Sequence, residues 1–264
     1  MVTAESVTQL GDVRGRVLVA GSHGGIIAAY LGAKAGAHAL ILNDAGLGLD
    51  RAGIAGLAYL DELGMAAAAV DCRSARIGDG ADMLARGVVS HLNVHAAVCG
   101  LVVGQSCREA AGRLRRALPP RKAPPPYEEG RWKVAEGPPG VWALDSIGKV
   151  LPEDAGRILV IGSHGALHGG RPDSALPIEA LAAVFHDAGI GADRIGLSRL
   201  PVLDRRGIAA ATVAGDSARI GDGRSLWATG VLSSVNTSGL ALGARVGMAV
   251  PVFAAQVAAA HERR

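Results

Sequence analysis

The sequence predicts an α/β protein written twice: two pseudo-symmetric halves, each an open parallel sheet with helices on both faces. Three observations carry that expectation. Short apolar runs alternate with helix-forming segments, glycine-rich polar motifs end the runs, and the whole series recurs down the chain. "RVLVAGSHGG" at 16–25 is answered by "RILVIGSHGA" at 157–166, "NDAGLGLDRAG" at 43–53 by "HDAGIGADRIG" at 186–196, and "SARIGDG" at 74–80 by the same heptapeptide at 217–223. The offset is 141 residues at the first motif and 143 at the other two, so the copies are domain-sized units, not short solenoid repeats. They occupy 1–117 and 141–264. The stretch 118–140, rich in proline and charge, reads as a connector without regular structure, because proline removes a backbone donor and restricts its predecessor.

Each element follows from local pattern. "RVLVA" is short, β-branched and apolar throughout, as a strand covered on both faces must be. "IIAAYLGAKAG" is rich in helix formers and ends in glycine, which predicts a crossover helix. "AHALILN" is the second strand. "LDRAGIAGLAYLDELG" has helical apolar spacing, with Asp50 placed to cap its start. "MAAAAVD" is the third strand, "SARIGDG" its exit loop, and "ADMLARGVVSHLNVHAAVCGLVVG" a helical region of one or two segments. The second copy is expected to repeat every step. The result is a tandem β-α-β-α-β-α unit of the Rossmann- or flavodoxin-like kind.

Composition narrows the function. Hydrophobic residues make up 49% of the 264 positions but aromatics only 3%, so Ala, Val, Leu and Ile must fill a close-packed interior. The net charge of +3 is mixed along the chain, and the one basic cluster, "RRALPPRK", lacks aromatic stacking partners, which argues against nucleic acid. No apolar run approaches membrane-spanning length and the start has no signal-peptide pattern, so a cytoplasmic protein is expected, with no membrane partner. Three cysteines without a CxxC pair suit neither a disulfide framework nor a structural zinc site, and no cofactor or metal is expected.

The repeated polar motifs fall at carboxyl ends of predicted strands, where open α/β sheets bind ligands. The candidate catalytic residues are His23 and His164 for proton transfer, Asp44 and Asp187 to orient them, and Cys72 as a nucleophile at a strand end. Substrate would be held by Ser22, Ser163, Gly24, Gly165, Asn43 and Ser74. Arg76, Asp79, Ser217, Arg219 and Asp222 complete the candidate set, the two arginines either gripping a substrate anion or pairing with Asp79 and Asp222. The copies also differ: Asp71 and Cys72 become Ala214 and Gly215, His91 and His95 become Ser234 and Ser238, and Asn43 becomes His186. If the halves face each other, one site draws unlike residues from each.

"SHG" after one strand and "NDAG" after the next resemble the His-Gly and Ala-Cys signatures of caspase-like peptidases. Gly46 and Gly189 stand where that family has its nucleophile, so the resemblance does not imply peptidase activity. The residues point instead to a small-molecule enzyme, a hydrolase of a C–N (amide-type) bond in a compact anionic metabolite. The alternatives are an isomerase using paired acid and base, and a non-catalytic binding protein for a nucleotide or phosphorylated metabolite. Small residues on the helices would also permit close packing in a homo-oligomer or against a partner subunit.

Overall fold

Residues 1–263 are described by a computed structural model containing two sheets. The first has strands β1 (Val2–Ala4), β2 (Val17–His23), β3 (Ala39–Asn43), β4 (Ala67–Val70) and β5 (Val89–Leu92) in that spatial order. The second has β6 (Arg131–Ala135), β7 (Val141–Leu144), β8 (Ile158–His164), β9 (Ala182–His186), β10 (Ala209–Val213) and β11 (Leu232–Val235), also in sequential order. β1 to β4 are parallel, as are β7 to β10, while β5, β6 and β11 run antiparallel at edges. This is the duplicated Rossmann- or flavodoxin-like architecture that the motif series predicts.

Helices cover both faces of each sheet. In the first half α1 (Ile26–Lys34) and α2 (Ala55–Glu62) bury Leu57 and Leu60 against Leu18, Leu40 and Leu42. On the opposite face α3 (Gly80–Arg86), α4 (Val94–Val98) and α5 (Cys107–Leu114) bury Met83, Ala96 and Leu114 against Val19 and Ile41. The second half repeats this with α6 (Arg199–Arg205) on one face and α7 (Gly223–Thr229), α8 (Thr237–Ala241) and α9 (Val250–Glu262) on the other. Strand β4, "AAAV", offers little side-chain bulk, so helices approach closely. Each fully buried Leu, Ile or Phe around it contributes about 1.5–3 kcal/mol.

Asn93 and Asn236 lock the corresponding corners. Each amide oxygen accepts two backbone N–H groups, from Ala67 and Ala96 for Asn93 and from Ala210 and Gly239 for Asn236. Each amide nitrogen donates to carbonyls of the preceding helix and strand approach, Leu57 and Met65 in one copy, Leu200 and Ile208 in the other. This full satisfaction is what makes a buried amide tolerable.

One irregularity positions the site. The β2–β3 ladder runs in register to Val19↔Ile41 and resumes at His23↔Asn43, so β2 carries two extra residues. β8 and β9 show the same slip between Val160↔Val184 and His164↔His186. A bulge of this kind bends a strand and re-aims its side chains. It turns both Ser-His pairs toward the junction of the halves.

The structure corrects four sequence expectations. "GVVSHLN" and "GVLSSVN" are not helical; they contain the edge strands β5 and β11, each buried only at its first residue. The second half has no crossover helix after "GSHGA", because Gly169 and Gly170 take positive φ and Pro172 follows; two 3₁₀ turns, His168–Gly170 and Pro172–Ser174, replace it. Arg199 stands where the first half has Gly56, and its buried guanidinium donates to the Ser174 and Ala175 carbonyls of this replacement loop. The connector is not wholly irregular, since β6 lies within 118–140 and pairs with β7. Asp50 does not cap α2: its backbone is left-handed, with φ 54°, and its carboxylate points across to the second half.

Candidate functional site

The repeated motifs meet each other. Arg76 Nε donates to Asp193 Oδ2 at 2.8 Å, and the equivalent Arg219 Nε donates to Asp50 Oδ2 at 2.7 Å, so each "SARIGDG" loop grips the other half's "DR" turn. The expected pairing within the heptapeptide is corrected: Asp79 and Asp222 instead cap α3 and α7, accepting from Asp82 N and Ser225 N at 2.9 Å. Arg219 reaches Asp222 only at 4.0 Å. Ser74 and Ser217 hydroxyls donate to the carbonyls of Asp71 and Ala214 and accept from Val88 N and Val231 N. Asn43 and His186, unlike as they look, do one job. Each accepts from the N–H two residues on and reaches the alanine carbonyl of its own "SAR" segment. Ala45, Ile77, Ala166, Ala188 and Ile220 form a small apolar core at the seam. Much of the repetition is therefore architecture.

The seam is tight. A Cβ on Gly46 would lie 2.8 Å from Cα of Gly189, and both residues have positive φ. The non-glycine residues with left-handed backbone, Ala45, Leu47, Asp50 and Arg51 with Ala188, Ile190, Asp193 and Arg194, all sit in these two loops. Such strain persists only where surroundings over-determine the backbone.

His23 and His164 line one chamber at the seam, together with Ser22, Ser163, Ser146 and His168. Each imidazole accepts through Nδ1 from a backbone N–H two residues on, Gly25 for His23 at 3.1 Å and Ala166 for His164 at 3.3 Å. Gly24 and Gly165 hold the turns by donating at 2.7 Å to the carbonyls of Asn43 and His186. Burial pushes His23 down to about 4, helped by His186. His164 is also driven well below the usual imidazole range, by burial first and then by His168, Arg199 and His23. Both rings are neutral near pH 7. A second cleft of about 280 Å³ shares His23 and Ile27 with the chamber and is edged by Asp50, Arg219 and Tyr127.

Asp44 does not bond to His23. It lies on the other side of β3, in a pocket of about 400 Å³ with Asp71, Cys72, Ser90 and His91. Its Oδ1 accepts from Gly46 N and Cys72 N, and its Oδ2 accepts the Ser90 hydroxyl at 2.8 Å. Ser90 has a single proton, drawn to this nearer acceptor rather than to Ala69 O at 3.3 Å, which leaves Oγ to accept from His91 Nδ1 at 3.1 Å. In a neutral ring the chain His91→Ser90→Asp44 places the proton on Nδ1 and leaves the Nε2 lone pair open, the orienting logic of a catalytic triad carried through a hydroxyl.

The second half lacks this relay. Ser234 replaces His91, and Ser233 bonds to Thr212 at 3.1 Å, where the first half has Ala69. Asp187 keeps only the turn-holding bond, to Gly189 N at 2.9 Å. Ala214, Gly215 and Asp216 stand in place of Asp71, Cys72 and Arg73. Four departures between copies, at Asp71, Cys72, Arg73 and His91, thus fall together around one pocket, while others such as Arg199 for Gly56 and Ser238 for His95 lie elsewhere.

Cys72 is surrounded unfavourably for a thiolate. Burial first, then Asp44 and Asp71, push its thiol up to about 12. Donor atoms of Asp44, Asp71 and Cys72 lie within 4.8 Å of one another, the spacing of a metal-ligand set. Both carboxylates also accept hydrogen bonds, Asp71 in a bidentate pair with Arg73 and Asp44 from three donors, so a cation at Asp71 would compete with the Arg73 guanidinium. The sequence expectation has none of Ser90, His91, Asp71 or Arg73 among its site residues; Asp71 and His91 enter it only as differences between copies, and those differences are the signal for this corner. In comparison with known proteins, no family model, curated protein or solved structure matches the chain.

Proposed function

We propose that the chain is a small-molecule hydrolase cleaving an amide-type C–N bond in a compact anionic metabolite, at the pocket of the first half. The observation that supports this most is the His91–Ser90–Asp44 relay, built in one copy and dismantled in the other. In this reading His91 Nε2 takes a proton from water as the oxygen adds to the substrate carbonyl carbon. The C–N bond then breaks and the same imidazole returns the proton to the leaving nitrogen. Ser90 and Asp44 hold the ring proton of the neutral imidazole on Nδ1 and so aim the Nε2 lone pair. Water is the nucleophile, because a thiol raised to about 12 supplies almost no thiolate at neutral pH. Arg73, its side chain 82% exposed and bound to Asp71 through Nε and Nη2, keeps Nη1 outside that pair to meet the anionic group of the substrate. A reducing, cytoplasmic setting fits the three free cysteines, Cys72, Cys99 and Cys107.

The test is turnover. The purified protein is incubated with a pool of anionic amides and the species consumed are recorded, then the assay is repeated with His91→Asn and Ser90→Ala. The reading expects His91→Asn to lower kcat by about 10²–10⁴-fold and Ser90→Ala by less. Undiminished turnover in His91→Asn would overturn it, and ligand retention without consumption would favour the binding-protein alternative.

A further inference from the structure

We infer that the chamber at the seam, where the two Ser-His motifs meet, binds a small oxyanion, a carboxylate or phosphate group of a ligand whose remainder occupies the adjoining cleft. This site is distinct from the pocket of His91 and stands without the catalytic reading.

The hydrogen-bond arithmetic of the lining carries the inference. Because Nδ1 of His23 and of His164 each accepts a backbone N–H, the ring proton of each neutral imidazole sits on Nε2, which has no partner among the described residues. Ser22 Oγ and Ser163 Oγ accept from Val7 N and Ile147 N, leaving both hydroxyl protons free to donate. Ser146 Oγ, in a residue 9% exposed, is buried with no partner among the described residues. The chamber thus collects five unspent donors from both halves, and that of Ser146 is fully buried, where an unpaired polar group is destabilising. An acceptor-rich guest relieves that cost.

Charge points the same way. Arg199 is fully buried beside the chamber: its Nε donates to the His164 carbonyl, its Nη2 is unpartnered, and no carboxylate pairs with it among the described residues. Glu129, half-buried, is the one carboxylate among the described residues lining the chamber. The chamber's volume of about 40 Å³ exceeds what one water needs but excludes a large group. Anything bulkier must extend past His23 and Ile27 into the cleft of about 280 Å³, whose walls include Ile26, Ala52, Ala55 and Ile220. The guest so described has a compact oxyanion head and a partly apolar body.

The experiment titrates ¹⁵N-histidine-labelled protein with inorganic phosphate and, separately, with acetate, following the imidazole signals of His23 and His164. A saturable shift of these two signals is expected, with Glu129→Gln binding more tightly and Ser146→Ala roughly tenfold more weakly, a difference of about 1.4 kcal/mol. Tighter phosphate assigns the head as phosphoryl, tighter acetate as carboxylate. No saturable shift with either anion overturns the inference, as does equal affinity, read from the His168 imidazole that also lines the chamber, in a folded His23→Gln/His164→Gln protein. The wild-type titration decides even if those variants fail to fold.

Discussion

Arg219 closes on Asp50 at 2.6 Å across the boundary between the halves, and its counterpart Arg76 closes on Asp193, which Arg86 also reaches. These pairs explain why the heptapeptide is written twice, but their energetic weight is small. Side chains of Arg219 and Asp50 are 52% and 55% exposed, a setting in which ion pairs contribute about 0–1 kcal/mol. Arg219→Ala and Asp50→Ala should therefore each lower stability only slightly. Asp193→Ala, which strands Arg76 and removes one of the two carboxylate partners of Arg86, should cost more. A double-mutant cycle on Arg219 and Asp50 measures this by urea unfolding, and a coupling above about 2 kcal/mol would show that the pair is not the screened surface tie its exposure implies.

The glycines at the seam carry more. Gly46→Ala must place a Cβ against backbone of Gly189 while holding φ at 72°, and Gly189→Ala meets the same obstacle from the other side at φ 69°. Gly170 is the control: its φ of 70° imposes the same strain, yet a Cβ there meets nothing within 4 Å. Gly170→Ala should cost about 1 kcal/mol, the left-handed penalty alone. Gly46→Ala should exceed it by 1 kcal/mol or more, roughly the cost of overpacking. Equal midpoints for the two variants in urea would mean that the seam yields freely.

Strand ends were legible because fully apolar runs such as "RVLVA" and "AHALILN" stop at polar glycine motifs, and a buried parallel strand leaves no other pattern. Strand β5 was not, because "GVVSHLN" is an edge with one buried residue and no alternation to separate it from a helix. Nor was the missing crossover helix, since "SHGALHGG" begins like its counterpart and its helix breakers, Gly169, Gly170 and then Pro172, come only after that shared start. Within the site, repetition drew attention to Arg76, Arg219, Asp79 and Asp222, whose bonds turn out to hold loops and helices. The letters of "SARIGDG" record that each arginine needs a carboxylate, but not that the carboxylate belongs to the other half. Cys72 and His91 were visible as differences between copies. Their convergence with Asp44 depends on β3, β4 and β5 lying side by side, which no local pattern encodes.

Acid should unfold this protein earlier than its carboxylates alone require. His23 and His168 are pushed from 6.5 to about 4 by burial, and His164 and His186 are also lowered. Between these values the unfolded chain binds protons that the folded chain refuses, so stability falls as pH drops below about 6.5 and is fully present above it. For His23 the loss approaches on the order of 3 kcal/mol near pH 4. Thermal midpoints measured from pH 7 to pH 4 should drop steadily, and the slope should lessen in His23→Gln whatever that variant's stability at pH 7. A flat profile across this range would contradict the buried neutral imidazoles.

Cys72 should be the slow thiol of the folded protein. Its sulfur is buried, and Asp44 and Asp71 add to the desolvation that raises it to about 12, whereas Cys99 is only half-buried and raised by burial alone. Alkylation by iodoacetamide at neutral pH, followed by peptide mass spectrometry, should modify Cys99 well before Cys72. Asp44→Asn removes the nearer negative charge and one of the causes of that rise, so it should speed Cys72 alkylation while leaving Cys99 unchanged. Because Asn at 44 still offers an oxygen to the N–H groups of Gly46 and Cys72, the loop is retained and the change reports on charge. Faster reaction of Cys72 than of Cys99 in the unaltered protein would mean that the pocket holds a thiolate after all, and the nucleophile of the proposed hydrolysis would then be sulfur, not water.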